Sequence, residues 1–351
     1  MTHEGFFNNP EKRFEFITAD AFLALSSLPG ESVDCIITSP PYWQLREYDV
    51  STKQDEIGNE ESYDDYVKIL TKIFSECKRV LKKDGSLWLN IGDKYHNKRL
   101  MGIPWRVALS LMDDGWILRN DVIWDQMKGT QSAKDRLRDI YEHIFHFVKS
   151  PKYYYNSEAI RIKPQKYPTK NGDSMISATG VSGKRYRQQI ENSKTLSAEE
   201  KNNAIQALNN TITEMANGDI VDFRMTIRGE QRTFHSNSEK VSGRAKELSI
   251  KGYYVLKMSA KGHLPPDIWR ITPEDTQRRD EHYAVFPEEL LRIPTLATCP
   301  ENGIILDPFS GTGSAIANAV KLNRRGIGID LSECYNNIAK KRLEEICQKK
   351  H

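Results

Sequence analysis

Two short stretches of this sequence hold residues whose types and spacing could do chemistry. The first is Thr38-Ser39-Pro40-Pro41-Tyr42-Trp43. Two prolines in a row stop either a helix or a strand, so the backbone must turn there and direct its carbonyls outward. Ser39 adds a hydroxyl, while Tyr42 and Trp43 add flat apolar faces. Together they suit hydrogen bonding to, and stacking on, a planar base. A bare PPY is more often a turn over a core aromatic, so the weight of this stretch depends on the second.

The second is Asp307-Pro308-Phe309-Ser310-Gly311-Thr312-Gly313-Ser314, which follows the short apolar run Ile304 to Leu306. Glycines after a strand let a ligand approach the backbone with no Cβ in the way, and the helix expected next offers unpaired N–H groups. Asp330 closes the following strand, 17 positions beyond Gly313. A carboxylate there can accept bonds from both ribose hydroxyls; it can equally cap the helix that begins near LSECY. Ala315 and Ile316 stand where a dinucleotide fingerprint would seek its third glycine. A pyrophosphate therefore lacks its expected cradle, and an adenosine ligand without phosphate fits better. S-adenosylmethionine leads that group.

Other chemistries find little support. Cys35, Cys77, Cys299, Cys334 and Cys347 are scattered and form no CxxC pair, which argues for free thiols over a zinc site or disulfides. His143 and His146 form the one close histidine pair, inside an apolar run that reads as a buried strand, so no metal is expected.

These residues need elements to position them. Phe14 to Thr18 and Val33 to Thr38 read as buried strands, with a helix from Asp20 to Leu28 between them. Tyr63, Tyr66, Val67, Leu70, Ile73, Phe74, Cys77, Val80 and Leu81 recur at three- and four-residue spacing and predict an amphipathic helix. Ser62 with Asp65 would box its start, and Gly85 would stop its end. Strands follow at Ser86 to Ile91, Val122 to Trp124 and Ile144 to Val148, with a helix over Pro104 to Met112. From about Asn156 the periodicity dissolves, apart from a helix near Ala198 to Glu214. It returns after Leu264, where strand, glycine loop, helix, strand and helix run to Cys347. Strand–helix alternation predicts an α/β domain whose mainly parallel sheet is assembled from both parts of the sequence around an insertion.

The charge is uneven in the same way. The segment Asn156 to Ala260 holds 17 Lys and Arg against 11 Asp and Glu. Its balance of +6, within a chain at +3, leaves the remainder at −3. A basic insertion on a mildly acidic body predicts one polyanion-binding region. No apolar run approaches a membrane span, and MTHEGFFNNPEKRFEF lacks the pattern of a signal peptide, so a cytoplasmic, nucleoid-associated protein is expected.

TSPPYW and DPFSGTGS resemble the catalytic and cofactor motifs of DNA amino-methyltransferases. Their order, catalytic motif first, then a recognition region, then the cofactor motif, resembles the β permutation class. ITADAF, GSLWLNIGD, DVIWDQ, SAKDR and HYAVFPEELL resemble further segments of that family, and only about Asn156 to Ala260 falls outside the likeness. The resemblance implies a seven-stranded, mainly parallel methyltransferase sheet with helices on both faces, circularly permuted. It implies a catalytic half at 1–155, a target-recognition region at 156–260 and a cofactor half at 261–351.

It further implies that S-adenosylmethionine is held by Asp20, Thr38, Asp307, Phe309, Ser310, Gly311, Gly313 and Asp330, with Asp20 near the adenine. The catalytic turn would be Ser39, Pro40, Pro41 and Tyr42, acting on a base flipped from double-stranded DNA. Ser39 and the Pro40 carbonyl would accept the amino hydrogens, and Tyr42 would stack on the base. No cysteine follows a proline, as the carbon-5 chemistry of cytosine would need. Ser39 in SPPY leans toward N4 of cytosine, leaving N6 of adenine open.

DNA contacts are expected from Lys134, Asp135 and Arg136 in the SAKDR stretch, and from Lys184, Arg185 and Arg187 around Tyr186. Arg224, Arg228, Arg232 and Arg244 are further candidates. A cognate restriction endonuclease and a homodimer stay open as partners. Two rivals remain: a glutamine or RNA amino-methyltransferase, disfavoured by the motif order, and a DNA-binding relative without turnover.

Overall fold

The computed structural model describes residues 4–44, 57–127, 134–172, 174–231, 243–273 and 286–348. Arg232, Ser132, Ala133 and residues 282–285 of the HYAVFPEELL stretch lie outside them. The chain forms two compact units, Met1–Ile160 with Pro266–His351, and Arg161–Pro265.

The first unit is built on a sheet of β1 (Phe14–Thr18), β2 (Val33–Thr38), β3 (Leu81–Ile91), β4 (Ile117–Asp125), β5 (Tyr141–Val148), β6 (Ile268–Arg270), β7 (Ile304–Asp307) and β8 (Arg325–Asp330). Their order across the sheet is β1-β8-β7-β2-β3-β5-β4-β6. Pairing is parallel from β1 through β3, antiparallel on both sides of β5, and parallel again between β4 and β6. The sheet therefore has eight strands where seven were expected. The addition, β6, is a three-residue edge strand aligning Ile268 to Arg270 with Ile123 to Asp125, too short to leave a periodic signal.

Among the described residues, the helices of seven residues or more in this unit are α1 (Ala21–Ser27), α2 (Tyr63–Val80), α3 (Ile103–Asp113), α4 (Glu288–Thr298), α5 (Ser314–Lys321) and α6 (Glu333–Gln348). Tyr66, Leu70, Ile73, Phe74, Cys77 and Val80 of α2 are buried, as the spacing predicts. Burying an aliphatic or aromatic side chain of this size contributes about 1.5–3 kcal/mol, so this face anchors the helix by hydrophobic burial. Ser62 caps α2 by accepting from the Asp64 N–H at 3.1 Å, without the reciprocal acidic arm. Gly85 does not stop the helix, which gives way at Leu81 directly to β3. It serves close packing instead: a Cβ there would lie 2.6 Å from the Leu81 side chain and 2.8 Å from the Asp34 carbonyl.

His143 and His146 sit on β5 and take structural roles. His143 Nδ1 lies 2.8 Å from Asp121, and His146 stacks on Trp88 at 4.2 Å. Burial holds the His146 imidazole down to about 3, so it is neutral. Cys35, Cys77 and Cys299 are buried free thiols. Among the described residues no group of side chains could hold a metal ion, and no helix is long and apolar enough to cross a membrane.

The second unit is more regular than its sequence suggests. Strands Ile220–Ile227 and Tyr253–Ser259 pair antiparallel, beside helices Lys184–Asn192, Ala198–Ala216 and Arg244–Lys251. Ile190, Leu208, Phe223, Met225 and Ile227 form its core. Ser197 and Glu200 make a full capping box at the second of these helices. Short elements and many polar surface positions hid this order in the sequence.

Candidate active site

Five strands, β1, β8, β7, β2 and β3, run parallel and end at one edge of the sheet, where open α/β folds bind ligands. That edge receives Asp20 after β1, Asp330 from β8, the glycine loop after β7 and Ser39 after β2. Thr38 donates to Asp307 Oδ1 at 2.7 Å, tying the two motif-bearing strands together. The Phe309 N–H reaches the same oxygen at 3.1 Å. Burial pushes the Asp307 carboxyl up to about 7, against the opposing pull of these two donors.

The glycine loop has the backbone its residue types require. Gly311 and Gly313 both take positive φ, at 48° and 77°. A Cβ on Gly313 would lie 2.9 Å from both Phe16 and Ala339. Asp330 spans the loop and the next turn: Oδ2 accepts the Gly311 N–H and Oδ1 accepts the Ser332 N–H, each at 2.8 Å. Burial raises this carboxyl, and those two amides oppose the rise. The Asp330 side chain is therefore a loop brace, while the Ser332 hydroxyl caps α6 by accepting the Tyr335 N–H at 3.3 Å. The Ser310 hydroxyl is buried with no hydrogen-bond partner among the described residues. An orphaned hydroxyl inside a glycine loop fits a site that gains a polar ligand. Asp20 caps α1 through the Leu23 N–H at 3.0 Å.

Past Ser39 the chain turns as the prolines demand. The Pro41 carbonyl accepts from Tyr66 at 2.8 Å, which pins the turn to α2. Tyr42 lies against Gly92, where a Cβ would come within 2.6 Å of the ring. The Cε2 side of the ring thus lies against bare backbone and leaves no room for a side chain at position 92. Its hydroxyl accepts from Asn90 Nδ2 at 2.7 Å and from Ser39 Oγ at 3.3 Å, and donates to Glu142 Oε2 at 2.5 Å. Asn90 also reaches Glu142 at 2.8 Å, and Gln126 Nε2 reaches Glu142 Oε1 at 2.8 Å.

Asn90, Gln126 and Glu142 went unremarked in the sequence. Each sits within a motif-like stretch or strand, but only the fold brings them under Tyr42. Asn336 was also missed. It is buried and donates to Thr18 Oγ1 at 2.9 Å and to the Asp330 carbonyl, holding α6 to the sheet edge.

Three expectations need correction. Trp43 offers no stacking face, because it is 3% exposed, packs edge-on to Tyr63 and bonds the Glu60 carbonyl. Tyr186 is no interleaved aromatic, since it packs against Phe223 in the core of its unit. Arg228 is consumed internally: its guanidinium holds both Glu200 oxygens and the carbonyls of Thr195 and Ser249. A guanidinium so satisfied is an internal clamp rather than a DNA contact. Lys184 and Arg185 lie on an exposed helix start, and Arg187 donates to Asn209. Arg224 is exposed on its strand. Arg136 covers the ring of Tyr95, and Lys134 is exposed.

Comparison with known proteins agrees with this arrangement. The family model for DNA methylase of the N6/N4 methyltransferase group matches residues 33–341. The type II methyltransferase M.SfiI of Streptomyces fimbriatus is 30% identical, over 92% of this chain and 89% of its own length. M.SmaI of Serratia marcescens is 27% identical, over 94% and 90%. The structure of PvuII DNA methyltransferase (cytosine-N4-specific) superposes with a TM-score of 0.56 at 16% identity, covering 94% of this chain and 86% of that one. The sheet is that of the S-adenosylmethionine-dependent methyltransferases. The chain belongs to the DNA methylase family of N6- and N4-directed amino-methyltransferases.

Proposed function

We propose that this DNA methyltransferase transfers the methyl group of S-adenosylmethionine to the exocyclic N4 amino group of a cytosine flipped out of double-stranded DNA. The observation that carries this reading is the Thr38–Asp307 bond, which sets the Ser39 turn beside the glycine loop. Asp20, Thr38, Asp307, Phe309, Ser310, Gly311, Gly313 and Asp330 would hold the donor. Asp330 keeps a free lone-pair direction on each oxygen for ribose hydroxyls, and Ser310 gains the partner it lacks. Once bound, the donor supplies an electrophilic sulfonium methyl.

The residues of the turn do the rest. An aromatic amino nitrogen is a poor nucleophile because its lone pair is delocalised into the ring. Ser39 Oγ and the Pro40 carbonyl, accepting its two hydrogens, draw that lone pair out of the ring. Tyr42, held against Gly92, would stack on the base, and Pro41 fixes the turn. Positioning of this kind can supply much of the barrier reduction in a direct displacement. Ser39 favours cytosine, in keeping with the N4-specific neighbour of the same fold.

The unit Arg161–Pro265 is assigned target recognition, with Lys184, Arg185 and Arg187 on phosphates and Lys134 and Arg136 near the target strand. The type II relatives suggest a cognate restriction endonuclease as partner. The test is transfer of labelled methyl to DNA followed by nucleoside mass spectrometry. N4-methylcytosine is expected from the wild type, and almost none from Ser39→Ala or Tyr42→Ala. N6-methyladenine alone would overturn the cytosine assignment, and no methylated nucleoside from suitable DNA would overturn the enzyme.

A further inference from the structure

Beneath the Ser39 turn lies a continuous line of hydrogen bonds that positioning alone does not require. Ser39 Oγ donates to Tyr42 OH at 3.3 Å, and Tyr42 OH donates to Glu142 Oε2 at 2.5 Å. The second distance is that of a hydroxyl on an ionised carboxylate. Asn90 Nδ2 and Gln126 Nε2 are further donors to Glu142. Three donors on one carboxyl group describe an acceptor-only, ionised side chain. The Tyr42 oxygen accepts from Ser39 and Asn90 while donating to Glu142, so its hydrogen-bonding capacity is full and its proton has one direction.

We propose that Glu142 is the terminal acceptor of the proton released by methyl transfer, which reaches it through Ser39 and Tyr42. This rests on amino methylation at Ser39 as read above. As the nitrogen lone pair forms the N–CH3 bond, the S–CH3 electron pair returns to sulfur, and the nitrogen carries one proton too many. That proton passes to Ser39 Oγ, the Ser39 proton to Tyr42, and the Tyr42 proton to Glu142. Serine and tyrosine end neutral and unchanged. The positive charge lost at sulfur is matched by the negative charge lost at Glu142, so no net charge is left in a closed site. Asn90 and Gln126 hold the carboxylate in line and are positioning residues.

Glu142→Gln separates this role from a structural one. Glutamine keeps the size and an oxygen for Tyr42 OH, and Gln126 can turn its amide to suit, but glutamine does not take a proton. Expected for Glu142→Gln is a fall in single-turnover methyl transfer of about a hundredfold, the scale of general acid–base catalysis, with KM for DNA and cofactor affinity within threefold of wild type. Tyr42→Phe breaks the line in its middle, so its loss should be similar, and the double variant should lose no more than either single one. Glu142→Asp, which restores a carboxylate, should recover part of the rate. A thermal melt and a cofactor-binding titration on each variant separate loss of fold from loss of proton transfer. Transfer by Glu142→Gln within threefold of wild type would overturn the proposal, as would additive losses in the double variant. A wild type that methylates no DNA would instead overturn the reading on which it rests.

Discussion

Thr38 and Asp307 stand 269 positions apart in sequence and 2.7 Å apart in space, each the last residue of its strand. The bond joins the residue before the Ser39–Tyr42 turn to the head of the glycine loop, so a displacement of either motif is passed to the other. Thr38→Val keeps the side-chain shape and removes the donor. Among the described residues the buried Asp307 oxygen then keeps only the Phe309 amide. A cost of about 1–3 kcal/mol is expected for a buried acceptor losing a partner, read as a lower urea midpoint. Thr38→Ser, which keeps the hydroxyl, should lose much less. Equal stability of Thr38→Val and wild type would deny the bond any role in the fold.

Asp307 also sets a pH dependence. Its carboxyl is raised by burial to about 7, above the 3.8 of an unfolded chain, so the folded state binds the proton more tightly. The stabilisation is complete below about pH 4 and is lost as pH climbs toward 7. Asp307→Asn keeps an oxygen for Thr38 and abolishes the titration. Relative to that variant, wild type should lose on the order of a few kcal/mol between pH 4 and pH 7. His146, held neutral, works the opposite way below its unfolded value and cancels in the comparison. A difference between the two proteins that stays constant with pH would contradict this.

Gly92 makes a sharper test of the turn. Its added Cβ would fall 2.6 Å from Tyr42 Cε2 and 3.1 Å from Cδ2. Gly92→Ala must therefore displace the ring that we propose stacks on the base. Methyl transfer should drop at least tenfold, the order of loss from misplacing a reacting group by part of an ångström. Cofactor affinity should hold, because β2 stands between β3, which ends just before Gly92, and β7, which leads into the glycine loop. Unchanged turnover would remove Tyr42 from the stacking role.

The basic region should divide into clamps and contacts. Arg228→Ala releases Glu200 and two carbonyls, so it should lower the stability of the unit Arg161–Pro265. It should leave the salt dependence of DNA binding untouched. Lys184→Ala and Arg185→Ala should do the reverse, each reducing the slope of log K against log salt by about one. A flat response from both lysine and arginine variants would move the DNA contact elsewhere.

These residues also show what a sequence exposes and what it hides. Periodicity declared α2, and β-branched runs declared β2 and β7, because burial repeats along the chain. Glycines at 311 and 313 were legible because their backbone requires them. Glu142 and Asn90 gave no such sign: a lone acid and a lone amide inside apolar strands acquire meaning only when β3 and β5 pair. Trp43 and Arg228 misled for a related reason. An aromatic or a guanidinium reads alike whether it meets a ligand or its own protein, and only its partners tell the two apart.

The pairing of β1 with β8 aligns Phe14 with Gly326. A ribosome adding roughly 5–20 residues per second needs tens of seconds to travel between them. Through that interval β1 has no neighbour on its inner side, and the Ser39 turn exists without the loop that faces it. The sheet edge around the glycine loop is thus completed only when β8 and Asp330 have been made, long after the Ser39 turn. A chain stalled before Gly326 therefore carries both motifs yet lacks β8, the strand that pairs with β1 and ends in Asp330.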